Sequence, residues 1–135
     1  MKQKMKKQST YSSLKESVKI DIVNKIIKLM KDEKLYLQYD LTLEKLAVIL
    51  KKNKIYISQS LNKKLKKNFT RFINEYRIEE AMKLLKNREY NIYTMEYIAN
   101  KVGFRSANTF FRAFKKFTGK TPLNFQKHAQ ENLND

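Results

Sequence analysis

Hydrophobic residues recur along this chain at helical steps of three and four, and no stretch alternates as a half-buried strand requires. Val18, Ile22, Ile26, Leu29 and Met30, with Val23 and Ile27 beside them, form one stripe and predict an amphipathic helix over residues 18–33. Leu35 to Asp40 reads as a connector. Thr42 is the next N-cap, with Glu44 in the first turn against the helix dipole. Leu43, Leu46, Ala47 and Leu50 supply the apolar face of a short helix. Asn53 caps another, whose stripe of Ile57, Leu61 and Leu65 runs to about Lys67. Phe69, Phe72, Ile73, Tyr76, Ala81, Leu84 and Leu85 mark a helix over residues 69–87, about 27 Å long. Thr94 caps a short helix carrying Met95, Ile98, Ala99 and Val102, which Gly103 interrupts. Ser106 caps the next, with Phe110, Phe114 and Phe117 as its stripe and Gly119 as its stop. Thr121-Pro122 opens the last one. Seven helices and no strand are expected.

Two of these units share one spacing. Leu46-Ala47 and Ile98-Ala99 are 52 residues apart, while Ile57, Leu61 and Phe72 precede Phe110, Phe114 and Phe125 by 53. The one-residue slip falls in the turn, where a change of length is tolerated best. Each unit is a short helix, a tight turn and a second helix, the outline of a helix-turn-helix.

Composition narrows the chemistry. The chain has 135 residues, which bounds it to one domain or two very small ones. With 2 Gly and 1 Pro it suits a helical rather than a turn-rich fold. It has no Cys and 1 His, so disulfides, thiolate sites and His-cluster metal sites lack their parts. Its 30 Lys and Arg against 13 Asp and Glu give a net charge of +17, which favours a polyanionic partner. Five Lys and no acid lie in residues 1–15, read as a basic, flexible tail. Lys51 to Asn74 holds eight basic residues and Tyr97 to Gln130 seven, again without an acid. Two acid-free basic blocks suit two surfaces that approach phosphates.

A helix turns about 100° per residue, so faces follow by arithmetic. With Phe110, Phe114 and Phe117 inward, the second helix of the second unit turns Asn108, Phe111, Arg112 and Lys115 outward. The corresponding outward set in the first unit is Ile55, Ser58, Gln59 and Asn62. These types suit a major groove: Arg donates twice to guanine, Gln and Asn pair with adenine, and an apolar side chain rests on a thymine methyl. For Phe111 and Ile55 the alternative of packing against a neighbouring helix is equally open. Lys52, Lys54, Lys63, Lys66, Arg105, Lys116 and Lys120 are expected to meet phosphates, which position a protein without specifying sequence. Asn53 and Ser106, at the helix starts, and Lys115 join that set.

The stretch from Ile98 to Phe125, IANKVGFRSANTFFRAFKKFTGKTPLNF, closely resembles the second helix-turn-helix signature of the AraC/XylS family of bacterial transcription regulators. Its shared elements are Ile98-Ala99, Val102-Gly103-Phe104, Ser106, Phe110, Arg112, Phe114-Lys115, Gly119 and Thr121-Pro122. Leu46-Ala47, Ile57 to Gln59, Phe69 and the run from Arg77 to Leu85 resemble that family's first unit and linker helix. Three features depart from the pattern: Lys66 where Gly often follows the first recognition helix, the pair Leu61-Asn62 in place of Phe-Lys, and Gln126 in place of a closing Arg.

The resemblance implies an all-α, seven-helix domain of two homeodomain-like helix-turn-helix subdomains, residues 16–68 and 88–135, joined by a linker helix over 69–87. Recognition helices at about 54–67 and 106–118 would enter consecutive major-groove segments about 34 Å apart. The family's base-reading positions fall at Ile55, Ser58 and Gln59, and at Ala107, Asn108, Phe111 and Arg112. Double-stranded DNA and RNA polymerase are the implied partners, with no cofactor, no metal and no membrane. The domain is expected to be monomeric, cytoplasmic and nucleoid-associated. Residues 11–45 resemble the lead-in found where this domain closes a longer sensor protein, so an excised output domain and a complete short regulator both fit. No effector-binding segment is recognisable.

Rival functions lack parts. A nuclease needs clustered carboxylates for Mg²⁺, and the basic blocks have none; no enzyme is expected. The helix over 18–33, amphipathic with four Lys, is better used as the lid of the first unit than on a membrane surface. Sequence-specific RNA readers stack bases on exposed aromatics, and only Phe111 is outward. The alternative that stays open is a nonspecific or architectural nucleic-acid binder without a defined operator.

Overall fold

The computed structural model describes residues 14–133. The basic tail expected over residues 1–15 lies, save for Leu14 and Lys15, outside the described residues. Seven α-helices occur among them: α1 (Glu16–Glu33), α2 (Leu43–Leu50), α3 (Lys54–Leu65), α4 (Phe69–Lys86), α5 (Met95–Lys101), α6 (Ala107–Thr118) and α7 (Pro122–Asn132). Two 3₁₀ turns, Leu35–Leu37 and Arg88–Ile92, complete the order, and no strand is present among the described residues. The all-α class with two helix-turn-helix units is as expected. By their contacts the residues fall into two compact units. One contains α1 with Thr42–Phe69, the other Lys34–Leu41 with the residues from Thr70 onward.

In the first unit α1 and α2 both pack against α3. The stripe expected on α1 is buried at Ile22, Ile26 and Met30, and Leu46 of α2 and Ile57 and Leu61 of α3 are buried in the same unit. Thr42 caps α2, its hydroxyl accepting from the Lys45 amide at 3.1 Å. Asn53 caps α3, its side-chain oxygen accepting from the Ile55 amide at 2.7 Å. Between them lies a three-residue turn led by Lys51 in the left-handed region, φ 53°. Glu16 at the start of α1 pairs with Lys19 at 3.2 Å and also with Lys64 on α3.

α3 ends at Leu65, earlier than the expected Lys67. Lys66 turns left-handed at φ 57° and its amide bonds back to the Asn62 carbonyl. That is the geometry a C-terminal glycine serves without strain; a lysine holds it here at a cost of about 1–2 kcal/mol.

The second unit buries Ile78, Ala81 and Leu85 of α4 against Ile98 and Ala99 of α5, with Val102 and Phe104 beyond, and Phe110, Ala113 and Phe114 of α6. Phe110–Phe114 and Phe114–Phe125 meet edge to face, with ring centroids 5.6 and 5.4 Å apart, the arrangement aromatic quadrupoles favour. Thr94, Ser106 and Thr121 cap α5, α6 and α7 through their hydroxyls. Gly119 ends α6 at φ 76°.

A buried cation ties this unit together. Arg77 of α4 donates from Nε to the Tyr36 carbonyl at 2.6 Å and from a terminal nitrogen to the Gln38 carbonyl at 2.8 Å. Its guanidinium lies 5.6 Å from the centroid of the Phe104 ring. Burial pulls its pKa down to about 10, which leaves it charged at neutral pH. Gly103, at φ 105°, closes the assembly, because a Cβ there would stand 2.4 Å from the Tyr36 carbonyl oxygen and 2.7 Å from Arg77 Nε.

Arg77→Ala takes the donor from the Tyr36 carbonyl, while the Gln38 carbonyl keeps the Leu41 amide at 3.2 Å, so it is expected to lower unfolding free energy by about 2 kcal/mol in urea titration. Arg77→Lys, lacking the planar fork of donors, recovers only part of that loss. Lys66→Gly is expected to raise stability by about 1 kcal/mol. A thermal melt in which Lys66→Gly is no more stable than Lys66→Ala would sink the left-handed cap as the cause.

Candidate nucleic-acid interface

Each helix pair presents its second helix differently from its first. α2 and α5 begin at Leu43 and Met95, 52 residues apart, while α3 and α6 begin at Lys54 and Ala107, 53 apart. The turn runs from Lys51 to Asn53 in one unit and from Val102 to Ser106 in the other, two residues longer, and α5 is one residue shorter than α2, which leaves the net difference of one.

On α6 the buried face is Phe110, Ala113 and Phe114. Asn108, Arg112 and Lys115 are exposed, as the face arithmetic expects, and so is Lys116. Ala107 and Phe111 are half-buried. Phe111 packs in part: its ring lies 5.8 Å from that of Phe110, at the margin of the core, and its outer part remains accessible. Beside it opens a cleft of about 790 Å³ lined by Phe111, Arg112, Lys115 and Lys116 of α6, Met95 of α5 and the start of α7. Arg105 lies exposed with its guanidinium 5.0 Å from the centroid of Tyr39. Ser106 spends its hydroxyl on the Thr109 amide and shares a 2.9 Å contact with the Thr109 hydroxyl. Lys120 places Nζ 3.0 Å from Nδ1 of His128.

On α3 the buried face is Ile57, Ser60 and Leu61. Ile55 is about half exposed, and Ser58 and Gln59 are half-buried. Lys54, Lys63 and Lys66 are exposed, as is the Asn53 cap, and Lys52 is half-buried. Lys54 lies 3.5 Å from Glu44 of α2. That carboxyl is held below the usual carboxylate range, first by its own backbone amide at the helix start and then by Lys54. Glu44 and Glu16 thus bring acids to a surface whose own sequence block has none. Only the fold makes these neighbours.

Several features escaped the sequence reading: Tyr39 beside Arg105, the Lys120–His128 contact, and the joining of Met95, Pro122 and Leu123 beside α6. Each joins residues far apart in sequence or on different helices, so no periodicity signals it. Gln126, where the resemblance expects Arg, donates to the Asn91 side chain at 3.2 Å, and Asn91 is also bonded to Gln130. Among the described residues no group of three or more His, Cys, Asp or Glu is placed to hold a metal ion. No described helix is long and apolar enough to cross a membrane.

Known proteins share this arrangement. A family model described as a helix-turn-helix domain matches residues 46–128. An uncharacterised HTH-type transcriptional regulator of Staphylococcus aureus is 31% identical over 93% of this chain, which spans 17% of that protein. The HTH-type regulator YtdP of Bacillus subtilis is 29% identical over 67% of the chain and 11% of its own length. Among solved structures, the C-terminal domain of the response regulator AraT from Geobacillus stearothermophilus superposes with a TM-score of 0.63 and 30% identity, covering 70% of this chain and 76% of that one. The C-terminal domain of the two-component response regulator yesN from Fusobacterium nucleatum gives 0.64 and 29%, covering 82% and 99%. Two capped helix pairs at a repeat of 52 to 53 residues, with a family model matching residues 46–128, place this chain in the AraC-type helix-turn-helix family of bacterial DNA-binding transcription regulators.

Proposed function

We propose that the domain binds double-stranded DNA sequence-specifically to regulate transcription, with α3 and α6 as recognition helices for consecutive major-groove segments. The exposed face of α6 supports this most: Asn108 and Arg112, a guanine- and adenine-reading pair of types, stand beside Lys115 and Lys116 and opposite the buried phenylalanines. Arg112 takes guanine, Asn108 adenine, and the accessible part of Phe111 a thymine methyl, with Ala107 allowing close approach at the helix start. In the first unit Gln59 and Ser58 form the hydrogen bonds and Ile55 the apolar contact. Lys52, Asn53, Lys54, Lys63, Lys66, Arg105, Ser106, Lys115, Lys116 and Lys120 face phosphates. Residues 16–68 and 88–135 act as the two reading units, with 69–87 as the helix that joins them.

The regulators named above extend well beyond the matched span, and the rest of such a polypeptide would carry the signal. RNA polymerase is the proposed protein partner, in the bacterial cytoplasm, with the domain itself monomeric and without cofactor or catalytic step.

Random-site selection with the purified domain tests this reading. Enrichment of a defined bipartite motif is expected; enrichment of none would leave the architectural binder. On the selected site, log affinity should fall with log salt at a slope of about −0.9 per phosphate contacted. Arg112→Ala should cost roughly 1–3 kcal/mol at one base pair and little elsewhere. A uniform loss over all sequences would assign Arg112 to the backbone instead. Replacing thymine by deoxyuridine at the position assigned to Phe111 should weaken the wild type and leave Phe111→Leu less affected.

A further inference from the structure

The cleft beside α6 is built for something other than water. Its apolar surface comes from three helices: Met95 opens α5, Phe111 lies on α6, and Pro122 and Leu123 begin α7. Every charged residue on its lining is basic, namely Arg112, Lys115 and Lys116. Its volume of about 790 Å³ lies within the range of small-molecule sites, which combine an apolar wall with a few convergent polar groups. Leu123 remains half exposed although it abuts this apolar surface. A second cleft, in the first unit, offers a contrast. It measures about 230 Å³ and mixes Lys25 and Lys28 with Asp32 and Glu33, so it has no preference of sign.

We infer that the α5–α6–α7 cleft is a binding site for a small amphipathic anion, and that its occupancy excludes DNA from α6. The ligand has an apolar body of a size to lie along Phe111 and Leu123. Its single carboxylate, sulfonate or phosphate pairs with Arg112 and Lys115. Charge complementarity selects this occupant: an anion gains attraction from all three exposed cations, a neutral apolar molecule gains none, and a cation would be repelled. Phe111 adds an aromatic face, and the Met95 thioether is polarizable enough to lie against a ring edge. A hydrogen-bonded charge pair on Arg112 also removes that side chain from any guanine. Ligand binding does not depend on the DNA reading above; the exclusion of DNA rests on it.

The full chain is titrated with 8-anilinonaphthalene-1-sulfonate, an apolar ring system bearing one anionic head, and with its neutral analogue N-phenyl-1-naphthylamine. Expected are one sulfonate bound per chain, binding at least about tenfold tighter than the neutral analogue, and amide NMR shifts confined to the start of α5, α6 and the start of α7. Leu123→Gln, at a partly exposed position outside the proposed DNA contacts, should weaken the sulfonate by a similar factor with a native amide spectrum. Equal binding of the neutral analogue overturns the role of the cations. Shifts elsewhere, or insensitivity to Leu123→Gln, overturn the site.

The second arm follows a fluorescein-labelled duplex carrying the selected motif. The sulfonate should displace it competitively, with the apparent Kd rising in proportion to free ligand. Retention of the duplex by sulfonate-bound protein overturns the exclusion. Absence of duplex binding even without sulfonate overturns the DNA reading and leaves the ligand site standing on the first arm.

Discussion

The second unit is organised around a positive charge withdrawn from water. Arg77 would be costly to bury alone. It is retained because two carbonyls of the connector, those of Tyr36 and Gln38, accept from it, and because the Phe104 ring lies beneath its plane. The carbonyls are available because Leu35–Leu37 forms a single 3₁₀ turn and the chain then extends at Gln38. Gly103 is the fourth participant, since any side chain there would collide with the Tyr36 oxygen. One guanidinium therefore fixes the connector, α4 and the turn between α5 and α6 at a single point. The direction of α6 follows from that turn. The exposed face of α6, which reads bases in the proposed complex, thus depends on an interaction made by residues that touch no nucleic acid there.

The two helix pairs solve one geometric problem in two ways. Between α2 and α3 the reversal takes three residues, with left-handed Lys51 ending the first helix. Between α5 and α6 it takes five, with Gly103 supplying the positive φ. The terminators of α3 and α6 differ likewise. Gly119 ends α6 in open space, with nothing within 4 Å of where a Cβ would stand, so conformation alone accounts for glycine there. α3 ends on Lys66 in the same region of φ. The first unit thus carries both that strain and one more cation at the end of α3.

Much of this was legible in one dimension because helices are local objects. Thr42, Asn53, Thr94, Ser106 and Thr121 all act as the caps their residue types suggest. The stripes of α1 and α6 bury as the three- and four-residue spacing requires. What was illegible is what the fold brings together from afar. No spacing in the sequence singles out Arg77 for burial, because its carbonyl partners lie 39 and 41 residues away. The outward and inward classes were also too coarse. Phe111 sits at the edge between them, about 100° around the helix from Phe110, and that boundary position lets one ring serve both core and cleft.

The acid-free blocks need the same correction in space. Around α3, Glu44 and Glu16 stand against Lys54 and Lys64, so part of the first block's charge is already compensated. Such exposed pairs are weak, and a phosphate can replace the carboxylate, but each exchange returns less than a free cation would. On α6, Arg112, Lys115 and Lys116 surround an apolar cleft whose lining contains no acid. The two units are therefore unequal. In the proposed complex the second contributes more of the salt-dependent affinity, while the first, reading through Ile55, Ser58 and Gln59, depends more on fit to the base edges. An anion held in the cleft would act on the unit that contributes most to affinity, and one small ligand would then suffice to weaken the whole domain's hold on DNA.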